Sequence, residues 1–125
     1  MRPLQYRTIW LAGGILLVLA VILGSVAPSV RTPLGNDKLT HLTAYLALAV
    51  WFGGVYRPAR YPWVAAALLA LGGGIELVQG MLSYRSMEIA DMVANSIGVL
   101  AGILLSWILL GSWCQWIEAR LPGSR

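Results

Sequence analysis

One imidazole and two carboxylates stand out because of the company they keep: His41, Glu76 and Asp91 each lie at the margin of a strongly apolar segment. A charged group in hydrocarbon carries a penalty of roughly 2.5 to 3.5 kcal/mol, so such residues face a protein interior or a water-filled cavity and mark function. An ordinary imidazole titrates at about pH 6.5, and a nearby carboxylate raises that value, which makes His41 a candidate proton acceptor or ligand. Glu76 would serve as general base, proton relay or ligand to a bound head group. Asp91 has a structural alternative, because a carboxylate at a helix start caps free backbone N–H groups and suits the dipole.

A second ring of polar residues accompanies these three. Asp37, His41 and Tyr45 recur every four residues and would share one helix face. Gln79 follows Glu76, and Asn95 follows Asp91, by about one helical turn. Lys38 and Arg85 would stand at the rim, where they pair with Asp37 and Glu88 or attract a phosphate. Nitrogen and carboxylate oxygen from His41, Glu76 and Asp91 suit several divalent ions. No spacing among them is diagnostic of a metal site, however, and neither a metal nor another cofactor is expected. Ser83, Ser86 and Ser96 lack the setting of a nucleophilic serine.

Composition shows what must position these groups. Of 125 residues 58% are apolar and 11% charged, and the mean hydropathy is +0.73, outside the usual range of soluble domains. A hydrocarbon core about 30 Å thick takes about 20 helical residues to cross. The apolar runs predict an all-α, polytopic membrane protein, a four-transmembrane-helix bundle with spans at about 9–27, 39–56, 63–82 and 90–113. These fill one domain over residues 1–125. The formal charge of +4 comes from basic residues scattered singly, with no basic stripe, so no nucleic-acid partner is expected. The lone Cys114 cannot form an intramolecular disulfide.

The run from Ile9 to Ala27 exceeds the core of a cleaved signal peptide, and is expected to remain as the first span. Asn36 or Asp37 would cap the second span, and the prolines of RPARYP, 57–62, break the chain into a tight hairpin. Gly72, Gly73 and Gly74 weaken the third span locally, while Gly72, Glu76 and Gly80 fall on one face. In the fourth span Gly98 and Gly102 have the spacing that lets two helices approach closely in lipid. The tail is amphipathic, and the tryptophans are expected at the membrane interfaces.

Basic residues set the orientation. Arg2, Arg7, Arg57, Arg60, Arg120 and Arg125 fall on one side and Arg31, Lys38 and Arg85 on the other, so the N-terminus and C-terminus are expected to be cytoplasmic. His41, Tyr45, Glu76, Gln79, Asp91 and Asn95 then lie within roughly 10 Å of the outer helix ends, in one layer drawn from three helices. Shifting the chain aligns Arg31, Asp37, His41, Leu46 and Ala47 with Arg85, Asp91, Asn95, Leu100 and Ala101, as two helical hairpins related by a pseudo-twofold along the membrane normal would.

The run DKLTHLTAYLAL from Asp37, the pair Glu76 and Gln79, and DMVANSIGVLAG from Asp91 occur in that order. Together they resemble the VanZ-like family of small bacterial membrane proteins, over about residues 31 to 110. The family takes its name from a protein associated with lowered susceptibility to teicoplanin, so the resemblance implies a multi-pass protein of the bacterial cytoplasmic membrane in a cell-envelope context. The expected function is an outward-facing polar pocket that binds a membrane lipid or lipid-linked envelope precursor. Three alternatives accompany it: a small membrane enzyme with Glu76 and His41 as acid–base pair, a proton-coupled translocator acting as a homo-oligomer, and an accessory subunit docked on another membrane protein.

Overall fold

The computed structural model describes residues 3–27, 37–83, 89–111 and 113–123. Arg31, Asn36, Tyr84, Arg85, Glu88 and the side chain of Asp37 lie outside the described residues. Within them the chain is entirely helical: α1 (Arg7–Val26), α2 (Asp37–Val55), α3 (Tyr61–Met81), α4 (Ile89–Leu105) and a short α5 (Trp113–Glu118). A 3₁₀ turn, Pro58–Arg60, occupies the expected hairpin before α3. Pro62 sits in the first turn of α3, where a missing N–H leaves no bond unmade. The final turn beyond α4, Ser106–Leu110, is a π-helix. α3 runs unbroken through its three glycines.

Among the described residues three helices are long and apolar enough to cross a membrane: Arg7–Val26, Pro58–Met81 and Ile89–Leu110. The count of four spans predicted from hydropathy is therefore reduced to three helices of clear spanning character. α2 falls short because its first turns carry Asp37, Lys38, His41 and Thr43. Its position supplies the physical reason. α2 touches α1, α3, α4, the π-helical turn and α5, so it is surrounded by protein. A helix lined by neighbours need not match hydrocarbon on every face.

The most extensive helix pair is α2 with α4, and small residues make it. A Cβ at Gly98 would enter the backbone of α2 at Leu42 O, and one at Gly102 would lie 2.8 Å from Leu46 O. Contact of backbone on backbone is how helices associate where lipid tails are as apolar as leucine. Tyr45, Leu48, Ala49, Leu68 and Val99 form the core around this seam, all nearly inaccessible.

The bundle carries an internal two-fold pattern. α3 starts at residue 61 and α1 at residue 7, and α4 with its π-helical turn covers the stretch that α2 occupies one repeat earlier. Two cross-helix hydrogen bonds join residues that are 54 apart, His41 with Asn95 and Ser25 with Gln79. Equivalent residues meet each other when two like hairpins face across an axis, the arrangement of parallel repeats.

An aromatic cluster stands at the far end of the bundle. Trp10, Trp51 and Trp113 pack on one another at centroid distances of 5.8, 5.2 and 5.3 Å. Their ring N–H groups donate to Glu118 Oε1 at 2.7 Å, Trp10 O at 2.9 Å and Val50 O at 2.9 Å. Each of these indoles is half-buried and has a partner for its N–H, as buried or partly buried tryptophans usually do. Trp63, Trp107 and Trp116 stay exposed. Glu118 is buried and also accepts from the backbone N–H groups of Gln5 and Tyr6, at 2.8 and 2.9 Å, fastening α5 to the start of α1. Burial alone would push its carboxyl up, but these donors outweigh it and hold the carboxyl below its ordinary value. Burial and the Glu118 charge push the Cys114 thiol up to about 12, which leaves it an inert packing residue.

Two outcomes test this reading. Gly98→Leu, which drives a side chain into the α2 backbone, should destabilise the protein by more than the roughly 1–3 kcal/mol typical of overpacking, seen as loss of monodisperse protein in detergent. Because the Glu118 carboxyl is depressed on folding, its contribution is present above the ordinary value of 4.5 and lost as pH falls through the lower folded value. Glu118→Gln should therefore lower the melting temperature at neutral pH, and the gap to wild type should close on acidification.

Candidate functional site

The site forms at the end of the bundle where α2 and α4 begin and α3 ends. Because α2 and α4 run parallel with backbones in contact, His41 on α2 and Asn95 on α4 meet across the seam: His41 Nδ1 lies 2.9 Å from Asn95 Oδ1. On the other side of the ring, His41 Nε2 lies 3.7 Å from Asp91 Oδ2. Asp91 stands in the first turn of α4, so it is near the favourable end of the helix dipole and is buried and turned to His41 as well. Glu76 reaches the same spot from α3 and is fully buried. One ligand atom from each of His41, Glu76 and Asp91 falls within 4.8 Å of the others.

Tyr45 lies one turn further along the His41 face of α2 and is 1% exposed. Its hydroxyl has no hydrogen-bond partner among the described residues, and neither does Asn95 Nδ2. Gly72 gives both of them room: a Cβ there would sit 3.2 Å from Asn95 Nδ2 and 3.4 Å from the Tyr45 ring. The glycine face of α3 thus serves the pocket, while Gly80 on the same face is exposed.

The remaining residues separate. Gln79 is buried, but its amide donates to Ser25 O at 2.8 Å, tying the end of α3 to the end of α1. Lys38 is exposed in the first turn of α2. The Asp37 side chain and Arg85 lie outside the described residues.

The imidazole sets the chemistry. With Asn95 Oδ1 accepting, the proton on Nδ1 is fixed, and Nε2 faces a carboxylate oxygen. A bare lone pair opposite a carboxylate is repulsive. A cation coordinated by both would remove that repulsion, since buried charges persist only when paired or coordinated. The group is equipped for proton transfer, for holding a cation, or for both.

Sequence reasoning did not single out Glu118, the tryptophan cluster at the opposite end, or the bond of Gln79 to Ser25. The shift of the chain that aligned His41 with Asn95 also aligns Ser25 with Gln79, and that was the signal available for the second pair.

The VanZ/LLP1 family profile matches residues 11–110. An uncharacterized protein of Schizosaccharomyces pombe is 33% identical over 96 residues, which is 74% of this chain and 58% of that relative. The chain therefore spans less than two thirds of the curated relative that it matches. No solved structure matches.

Removal of the His41 partner should be measurable. Asn95→Ala should destabilise the protein by about 1–3 kcal/mol, the cost of leaving a buried ring N–H unsatisfied, read as a lower melting temperature in detergent. Ser96→Ala, whose hydroxyl bonds back to Met92 O in its own helix, should stay within roughly 0.5 kcal/mol of wild type.

Proposed function

The chain belongs to the VanZ/LLP1 family, and on that premise we propose that it is a membrane protein whose His41, Glu76 and Asp91 pocket binds the head group of a membrane lipid or lipid-linked envelope precursor. The observation that carries this reading is the convergence of three ionisable side chains from three helices at one end of a largely apolar bundle. Such groups are retained inside a membrane protein only where they handle something polar.

Toward the other end of α3, an apolar cleft of about 460 Å³ opens between α1, α2 and α3, lined by Val18, Phe52, Val64, Leu68 and Leu71. Its lining suits hydrocarbon, as the pocket suits a head group. In the proposed topology α2 completes a four-helix bundle, both termini are cytoplasmic, and the pocket opens to the outer leaflet with Lys38 at its mouth. The balance of basic residues supports that orientation.

A relative in fission yeast favours a head group common to bacterial and eukaryotic membranes, such as a lipid phosphate, over one confined to a bacterial wall. An altered glycopeptide susceptibility would then be a downstream effect of lipid handling in a bacterial envelope. A second reading, acid–base catalysis on a lipid-phosphate or amide substrate, is favoured by the imidazole held between Asn95 and Asp91 with Glu76 beside it.

Lipids that copurify with the detergent-extracted protein should include a phosphate-bearing species, identified by mass spectrometry. His41→Ala, Glu76→Gln and Asp91→Asn should lose it while remaining helical and present in the membrane. Retention of the same lipid by all three variants sinks the proposal, and loss of all three from the membrane reduces the cluster to scaffolding. Turnover of the captured lipid by wild type, absent in Glu76→Gln, selects the enzymatic reading.

A further inference from the structure

We propose that His41, Glu76 and Asp91 form a divalent cation site of the zinc or manganese class, enclosed by α2, α3 and α4. Spacing along the sequence gave no reason to expect a metal, since the ligands come from three separate helices. The fold brings them together. Three ligand atoms around a cation at about 2.1 Å stand about 3.0–3.5 Å apart. The His41 and Asp91 atoms are already at 3.7 Å, and all three lie within 4.8 Å, so shifts of side chains alone close the set.

Two further observations point to a ligand. A metal-binding imidazole characteristically donates its other ring N–H to an acceptor that fixes tautomer and orientation. Asn95 Oδ1 is such an acceptor, 2.9 Å from Nδ1, and it leaves Nε2 directed at Asp91. In addition, the Tyr45 hydroxyl and Asn95 Nδ2, both on residues at most 3% exposed, have no hydrogen-bond partner among the described residues. Both residues pack on α3 at Gly72, one turn before Glu76: a Cβ there would lie 3.2 Å from Asn95 Nδ2 and 3.4 Å from the Tyr45 ring. Both groups can donate, and donors are what a water or an oxyanion on the cation would need.

One imidazole and two carboxylates suit zinc or manganese, and three protein ligands leave coordination positions open. The cation would also reconcile two acidic side chains with a phosphate head group, by bridging oxygen to oxygen. The site does not depend on the head-group reading, and its test contains no lipid.

Purified full-length protein in detergent, stripped with a chelator, is titrated with Zn²⁺ alone and with Mn²⁺ alone by calorimetry, and bound metal is counted after dialysis. The expected result is one ion per chain and a metal-dependent rise in melting temperature. His41→Ala, Glu76→Gln and Asp91→Asn should weaken binding at least about 100-fold, and Asn95→Ala about 10- to 100-fold. Gln79→Ala should keep the ion. Retention of less than one ion per chain by wild type overturns the proposal, as does undiminished binding in the folded variants. Should the variants not fold, Co²⁺ added to wild type decides the matter. A ligand-field absorption band that Zn²⁺ displaces supports the site, and its absence removes it. Lipid retention without metal binding leaves the head-group reading standing alone.

Discussion

Everything described here depends on two backbones touching. Gly98 and Gly102 let α4 lie against α2 with no side chain between them, at Leu42 and at Leu46. In lipid the gain from such an approach is dispersion and close packing, because no hydrophobic drive separates one apolar helix from another. The approach fixes the distance at which His41 and Asn95 face each other, and so aims the imidazole at Asp91. Glu76 is brought in by α3, whose Gly72 leaves room beside Asn95 and Tyr45. Geometry at the site is thus set by residues that carry no functional group.

The two hairpins are offset by 54 residues in two of their cross-helix contacts, while their polar residues differ. Residue for residue, Asn95 stands where His41 stands in the first half, and Gln79 where Ser25 stands. Glu76 occupies the place of Ile22, and Tyr45 that of Val99. Each half therefore contributes what the other lacks. The imidazole and phenol come from one hairpin, the two carboxylates and the amide from the other, and the axis between them is where the pocket forms.

Much of this was legible in the sequence. The helix bounds followed from apolar run length, the hairpin from Arg57 to Pro62 from its prolines, and the tight seam from the spacing of Gly98 and Gly102. A shared polar layer followed from counting residues inward from the helix ends, and that placed His41, Glu76 and Asp91 at one depth. Depth alone does not fix rotation about a helix axis. For that reason the bond from the amide of Gln79, only three residues from Glu76, to Ser25 on α1 was not foreseen. The bond from Trp10 to Glu118 was hidden for a related reason: the two stand 108 residues apart, and no local spacing joins them. Hydropathy, finally, treats every face of a helix as facing lipid, and α2 is the helix for which that assumption fails.

The polar character of α2 bears on how such a chain is made. In the proposed topology, a segment this rich in polar residues partitions poorly into a bilayer by itself, whereas α1, α3 and α4 enter readily. In that topology α2 is made before α4, the helix with which it packs most extensively and whose glycines let the two backbones touch. Until α4 is in place His41 has neither Asn95 nor Asp91 beside it, so the polar residues of α2 acquire their partners only when the second hairpin arrives.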